Sequence, residues 1–256
     1  MKKFGYVLSG GGARGFAHLG ILEYLEELNI KPYAISGTSA GAIAGALYAA
    51  GKTPTEILHM VKNNSYFGWS NMIWKKPGFF SMQAFEKVLK DAITEDSFEA
   101  LKIKLFVAAT DLNKGESVIF SEGKLFQQII ASASLPVIFA PVTIGERILV
   151  DGGLLNNFPI EPLENICDVI IGSYVNKLEK GIGKNSVIGT FNIIERCFLL
   201  ATAHAVYSKA HRCDVFIETP VNSFSMYDVK NADAIFEAGY KTALQHKEAL
   251  HKLCDQ

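Results

Sequence analysis

The segment from Ile35 to Gly51, ISGTSAGAIAGALYAAG, constrains the fold of this chain most. It contains the pattern G-x-S-x-G from Gly37 to Gly41, with a strand-like apolar run before it and an alanine-rich, helix-like run after it. This context predicts a sharp strand-to-helix turn that holds the Ser39 hydroxyl clear of the backbone, because only glycines avoid a Cβ clash in so tight a turn. The alternative is an ordinary turn in which Ser39 caps the helix.

Strand and helix patterns alternate from the start of the chain. An apolar run at 4–8 leads into the segment SGGGARG at 9–15, and a helical pattern with leucines at three-residue steps follows. The strand–helix unit then repeats, with Ser39 at its turn. Two successive units of this kind imply an α/β fold with a parallel sheet covered by helices. We expect one domain over 1–256, closed by a C-terminal helical extension at 231–253.

Composition excludes several classes of protein. Hydrophobic residues make up 49% of the 256 residues, which predicts a sizeable packed core rather than disorder. A formal net charge of -1 gives no overall attraction to nucleic acid. The cysteines are widely spaced without a C-x-x-C pair, which indicates neither a metal site nor a disulfide framework. With no apolar run long enough to span a membrane and no signal-peptide pattern, we expect a cytoplasmic protein.

The glycine-rich loop is the second informative feature. Gly10, Gly11 and Gly12 lie between a strand and a helix, so their backbone N–H groups are exposed for binding an anion, either a phosphate or the oxyanion of an acyl-transfer intermediate. The loop also fits G-x-G-x-x-G, the pattern of a dinucleotide site. That interpretation requires an acidic residue at the end of the second strand, where this chain instead has Ser36 and the G-x-S-x-G turn. We therefore disfavour a nicotinamide-dependent oxidoreductase, which would be stabilised by NAD(P).

Asp151 is the third feature, since it ends an apolar strand and precedes two glycines. An aspartate that only forms a turn is the plainer interpretation. A catalytic role is favoured because an anion-binding loop, an elbow serine and an aspartate all fall at strand ends, where α/β sites collect. All six histidines fall in runs that read as helical, so a Ser39–Asp151 pair is simpler than a triad. Such a pair needs the pKa of Asp151 to lie above the usual value of about 3.9, and partial burial would raise it.

These stretches together resemble the signature blocks of the patatin-like phospholipase family. The blocks are GGGARG at 10–15, GTSAG at 37–41 and DGG at 151–153, in the family's order, and ASASLP at 131–136 resembles a further block before the aspartate. The resemblance spans residues 4 to about 210. It implies a three-layer α/β/α sandwich with a mostly parallel central sheet.

The resemblance also implies roles for individual residues. Ser39 would be the nucleophile and Asp151 its proton acceptor. The oxyanion hole would be formed by Gly10, Gly11, Gly12 and Ala13. Supporting positions would be Arg14, Gly15, Gly37, Gly41, Gly152 and Gly153. Arg14 has a plainer alternative, a structural ion pair with a carboxylate. Neither a metal nor a cofactor is implied.

Residues 66–80, YFGWSNMIWKKPGFF, have the composition of a membrane-interface segment, with both tryptophans and two adjacent lysines. We interpret this segment as a lid or lipid-facing flap that brings the protein into peripheral contact with a membrane. The alternative is an inserted helical segment packed on the core.

The sequence thus predicts a serine esterase or lipid acyl hydrolase acting on phospholipid, lysophospholipid or related acyl esters, with no nucleic-acid partner. The alternative is a lipid- or acyl-binding regulatory protein on the same scaffold with little turnover.

Overall fold

The computed structural model describes residues 2–63, 83–179, 189–227 and 229–254, and the predicted lipid-facing segment at 66–80 lies outside these ranges. The helices are α1 (Phe16–Glu27), α2 (Ala40–Ala49), α3 (Pro54–Asn63), α4 (Gln83–Ala92), α5 (Phe126–Ser132), α6 (Thr190–Ala210), α7 (Ala232–Gln245) and α8 (Lys247–Cys254). The strands are β1 (Phe4–Leu8), β2 (Pro32–Thr38), β3 (Lys104–Asp111), β4 (Glu116–Phe120), β5 (Val142–Ile144), β6 (Arg147–Asp151), β7 (Val169–Tyr174) and β8 (Val215–Glu218).

Within the described residues the strands form one sheet in the order β5-β6-β3-β2-β1-β7-β8, and β4 pairs with β3 off this path. The pairs from β3 through β2, β1 and β7 to β8 are parallel, because helical segments return the chain to the same edge each time. Strands β4, β5 and β6 add antiparallel pairs beside β3. The predicted α/β fold with a mostly parallel sheet is confirmed.

Helices cover both faces of this sheet, as the alternation of side chains along β1 requires. Tyr6 and Leu8 pack into the larger core with α1, α2 and α7, whereas Val7 packs into a smaller core on the opposite face with Phe158 and Val206. Successive side chains of a strand point to opposite faces, so a strand that is apolar at every position needs a helical layer on each side. The three-layer sandwich is therefore confirmed.

The C-terminal segment differs in one respect from the single helix expected there. It forms two helices that divide at His246, whose N–H donates to the carbonyl oxygen of Ala243 in a tight final turn. The change of direction allows Leu250 of α8 to be fully buried. Helix α7 packs closely on α1, where a Cβ at Gly20 or Gly239 would collide with the backbone of the other helix.

In the part of the chain that the structure describes, no helix is both long enough and apolar enough to cross a membrane.

Candidate active site

Ser39 occupies the predicted elbow between β2 and α2. Its backbone has φ 53° and ψ -120°, a region that side chains other than glycine rarely adopt, with a cost on the order of 1–3 kcal/mol. Two contacts hold the turn in this conformation. The Ser39 N–H donates to Oγ of Ser132 at 2.9 Å, and the hydroxyl of Thr38 donates to the carbonyl oxygen of Asn156 at 2.8 Å. The strained turn places the Ser39 hydroxyl at the N-terminal end of α2.

Glycines are required around this elbow by close backbone approaches. A Cβ at Gly41 would overlap the carbonyl of Leu8, so α2 could not pack so closely on the end of β1. The other predicted supporting glycines meet similar obstacles: Gly15 against Ala40, Gly37 against Gly41, Gly152 against Ala108, and Gly153 against the side chains of Asp151 and Asn157.

Asp151 reaches Ser39 through the register of the sheet. Thr38 of β2 pairs with Ala108 of β3, and the next residue, Ala109, pairs with Asp151 of β6. This register brings the last residue of β6 beside the elbow. The Ser39 hydroxyl donates to Oδ2 of Asp151 at 2.6 Å, with 112 residues separating the two in sequence.

The remaining atoms of Asp151 are also held in place. Its Oδ1 accepts from the N–H of Gly153 at 2.7 Å, its own N–H donates to the carbonyl oxygen of Ser134, and its carbonyl oxygen accepts from the hydroxyl of Thr110. With both carboxylate oxygens engaged, the side chain is oriented toward the Ser39 hydroxyl.

Burial changes the acidity of this carboxyl group. Asp151 is 3% exposed, and desolvation raises its pKa to about 6, against the opposing effect of its hydrogen bonds with Ser39 and Gly153. A carboxylate with a pKa near 6 is a stronger base than a free aspartate and is still ionised at neutral pH. The pair can therefore move a proton from the serine hydroxyl to the aspartate.

The glycine loop lies against the nucleophile, since a Cβ built on Gly10 would come within 3.2 Å of Cβ of Ser39. Two of its four predicted N–H donors are already used: Gly10 donates to Asn157, and Ala13 donates to the carbonyl oxygen of Met226 at 2.7 Å. Among the described residues, the N–H groups of Gly11 and Gly12 have no acceptor. The geometry narrows the predicted oxyanion hole to these two, and it excludes Gly10 and Ala13 as donors.

Gly12 also has a φ of 56°, in the left-handed region that favours glycine, and a Cβ there would overlap the carbonyl of Met226. The loop conformation that leaves Gly11 and Gly12 available as donors therefore depends on glycine at this position.

Arg14 combines the two roles that were predicted as alternatives. It is 4% exposed and forms an ion pair with Glu195 of α6 at 3.1 Å. The same guanidinium donates to Oδ1 of Asn176 and to the carbonyl oxygen of Phe224. Because it contacts three separate segments from the glycine loop, Arg14 fixes the loop against α6 and the strand ends.

The nearest fully buried histidine does not serve as a third member of the pair. His18 has Nδ1 2.7 Å from Oγ of Ser173 and Nε2 2.8 Å from the carbonyl oxygen of Ser9, so both ring nitrogens are engaged away from Ser39. Burial lowers the pKa of His18 to about 4, which keeps the ring neutral. Within the described ranges, no group of three or more His, Cys, Asp and Glu side chains is arranged to hold a metal ion.

The Ser39–Asp151 pair opens into an apolar cavity of about 930 Å³, including the part open to solvent. Helices α1, α2 and α3 line it with Phe16, Leu19, Ile43, Ala44, Ile57 and Val61, and other walls come from Leu135, Phe139, Phe198 and Met226. A cavity of this composition accommodates a hydrocarbon chain at low cost in desolvation.

Two polar residues of the site were not among the predicted ones. Ser132 accepts the N–H of the nucleophile, and Asn157 lines the cavity and accepts the N–H of Gly10 at 3.1 Å. Asn157 follows the aspartate by six residues in the sequence DGGLLNNFP, and an amide so close to a candidate catalytic residue was the available signal.

Comparisons with known proteins agree with this geometry. The family model described as Patatin-like phospholipase matches residues 6–164, a range that contains both Ser39 and Asp151. An uncharacterised NTE family protein of Mycobacterium tuberculosis is 32% identical over 183 residues, which cover 70% of this chain and 51% of that protein. The protein named lysophospholipase NTE1 of Kluyveromyces lactis is 26% identical over 282 residues, covering 97% of this chain and 20% of that protein.

A solved structure shows the same fold. The crystal structure of VipD from Legionella pneumophila matches with a TM-score of 0.55 at 15% identity, covering 98% of this chain and 67% of that one. The chain spans 51% and 20% of the lengths of its two relatives, so each of them contains a large part with no counterpart here.

Proposed function

The chain belongs to the patatin-like phospholipase family, and from that premise we propose that it is a lipid acyl hydrolase with Ser39 as nucleophile and Asp151 as proton acceptor. The observation that carries the proposal is the 2.6 Å hydrogen bond between these side chains at the wall of an apolar cavity. The close packing of α7 on α1 supports a single catalytic domain over residues 1–256.

In the first half of the reaction, Oγ of Ser39 attacks the carbonyl carbon of an acyl ester while its proton passes to Oδ2 of Asp151. The negative charge that develops on the carbonyl oxygen is met by the N–H groups of Gly11 and Gly12, which have no other acceptor among the described residues. Collapse of the tetrahedral intermediate breaks the ester bond. The departing alcohol takes the proton from Asp151, and an acyl-serine remains.

In the second half, a water molecule gives a proton to Asp151 and attacks the acyl-serine carbonyl. The second tetrahedral intermediate collapses, the bond to Oγ of Ser39 breaks, and the serine takes the proton back from Asp151. The products are a fatty acid and free enzyme. A base with a pKa of about 6 suits both steps, because it is ionised at neutral pH yet retains affinity for the transferred proton.

The cavity supports a lipid as the acyl donor. Apart from the reacting residues, its walls are formed chiefly by aliphatic and aromatic side chains, which match a fatty acyl chain rather than a polar group. Phospholipids, lysophospholipids and related acyl esters share this chain, and the proposal covers that class.

The outer surface beside the cavity supports contact with a lipid surface. Phe198 of α6 lines the cavity, and the same helix exposes Ile193, Ile194 and Leu200 on the side away from the core. Leu155, close in sequence to the catalytic aspartate, is also exposed. Exposed apolar side chains grouped at the edge of an active site are typical of interaction surfaces. We propose that this surface, rather than the segment at 66–80 alone, meets the lipid.

Hydrolysis of p-nitrophenyl esters of short and long acyl chains tests the catalytic proposal. Ser39→Ala and Asp151→Asn should each reduce kcat/KM to background, whereas Ser208→Ala and Asp91→Asn, the same substitutions at exposed positions, should retain wild-type activity. A fluorophosphonate probe should label the wild-type protein and not Ser39→Ala. Activity that survives Ser39→Ala would refute the mechanism. A folded wild-type protein that neither hydrolyses esters nor reacts with the probe would favour the lipid-binding alternative.

A further inference from the structure

Asn157 carries a buried hydrogen-bond donor that the folded protein leaves unused. The residue is 5% exposed, and Nδ2 of its amide has no hydrogen-bond partner among the described residues. Buried polar groups nearly always have partners, so an orphaned donor in the wall of a cavity calls for a ligand.

The orientation of the amide follows from its other contact. The N–H of Gly10 can only donate, so the atom 3.1 Å from it must be the oxygen Oδ1, and the NH₂ group is the end that remains unpaired. The backbone carbonyl oxygen of Asn157 also accepts from the same N–H at 3.3 Å. The glycine loop is thus already held without the NH₂ group, and a purely structural role leaves that group without a purpose.

The amide lies between the three parts of the reacting centre. A single carbon built on Gly10 would be 2.5 Å from Oδ1 of Asn157 and 3.2 Å from Cβ of Ser39. A single carbon built on Gly153 would be 2.9 Å from Oδ1 of Asn157 and 2.9 Å from Oδ1 of Asp151. The side chain also lines the same cavity as Ser39, Asp151 and the glycine loop.

We propose that Nδ2 of Asn157 donates a hydrogen bond to the substrate oxygen that becomes negatively charged, so that it forms a third oxyanion donor beside the N–H groups of Gly11 and Gly12. The inference rests on the proposed acyl-hydrolase function and adds a side-chain donor to it. An amide suits the position because it donates without bringing a charge beside Asp151. A carboxylate there would place a second negative charge next to the catalytic base and would repel the oxyanion.

The proposal predicts a specific kinetic change. Asn157→Asp retains the shape of the side chain and the acceptor for Gly10, but it replaces the NH₂ donor by an oxygen. Asn157→Ala removes both groups. Loss of one oxyanion donor lowers the rate by about 10²–10³-fold, so kcat should fall by that factor in both variants, with KM changed by less than about threefold.

The matched control is Asn156→Asp, the same substitution one residue earlier. The Asn156 side chain pairs with Lys209 and Glu161 instead of lining the cavity, and this variant should retain wild-type kcat.

A trifluoromethyl ketone separates donation to the oxyanion from a general loss of structure. The ketone forms a hemiketal with the serine whose oxygen mimics the oxyanion, so its Ki should rise by the same factor by which kcat/KM falls. The assigned side-chain NH₂ resonances of Asn157 in the wild-type protein should move downfield when the ketone binds, a readout that does not depend on any variant folding.

Several results would overturn the inference: a wild-type kcat in Asn157→Asp, a Ki for the ketone that does not change with kcat/KM, or amide resonances that do not move in the wild-type complex. In each case wild-type hydrolysis by Ser39 would stand, whereas a wild-type protein without esterase activity would refute the proposed function itself.

Discussion

The buried carboxyl of Asp151 should make the protein less stable as the pH rises, and the substitution Asp151→Asn should remove this effect. Burial raises the pKa of Asp151 from 3.8 to about 6, so the native state binds the proton more tightly than the unfolded chain does. Such a group contributes stability below the unfolded pKa, and this contribution is lost as the pH rises through the folded pKa. Asparagine has no proton to lose, and its Oδ1 can still accept from Gly153.

The size of the effect follows from the two pKa values. Their difference corresponds to roughly 3 kcal/mol in total, and about 2 kcal/mol of it falls between about pH 4.5 and about pH 7.5. The free energy of unfolding of Asp151→Asn should therefore gain about 2 kcal/mol relative to wild type across this interval. At neutral pH the variant should be the more stable protein although it is inactive, which is the expected trade between function and stability.

Urea unfolding of both proteins at a series of pH values measures this difference directly, and taking the difference cancels the titration of groups common to both. Asp91→Asn, on the exposed surface of α4, controls for the change of side chain. A stability difference between Asp151→Asn and wild type that stays constant from about pH 4.5 to about pH 7.5 would show that the carboxyl is not perturbed. The argument that it acts as an improved base would then fail.

Two further predictions follow from the site and its surroundings. Because Asp151 must be unprotonated to accept the serine proton, kcat/KM for a neutral ester should rise about tenfold per pH unit below about pH 6 and level off above it, and a profile without this limb would contradict the assignment. The exposed residues of α6 should govern binding to lipid: Ile193→Glu and Leu200→Glu should weaken sedimentation with phosphatidylcholine vesicles, while hydrolysis of a soluble short-chain ester stays unchanged. Leu244→Glu, an equally exposed position on α7, is the matched control, and equal weakening by all three would argue against a specific surface.

The parallel sheet and the elbow were predictable because local sterics determine them. A tight turn between a strand and a helix requires small residues, so the pattern around Ser39 could be recognised without knowledge of the rest of the chain. The apolar alternation that makes β1 a central strand is equally local. The division of the C-terminal helix at His246 was not predicted, because neither a proline nor a glycine marks it and it follows from the burial of Leu250.

The sequence by itself determined the residue types of the site: a serine in a strained turn, a loop of glycines and an aspartate at the end of a strand. Tertiary structure alone decided how they act together. The register of β3 with its neighbours brings Asp151 to Ser39, and desolvation in the assembled fold raises the pKa of that carboxyl. Contacts from distant segments use the N–H groups of Gly10 and Ala13 and leave the amide of Asn157 with an unpaired donor. Hydrogen-bond partners and burial depend on residues more than a hundred positions apart, whereas turn sterics depend on immediate neighbours, and this difference in range separates what a sequence pattern predicts from what only the folded chain determines.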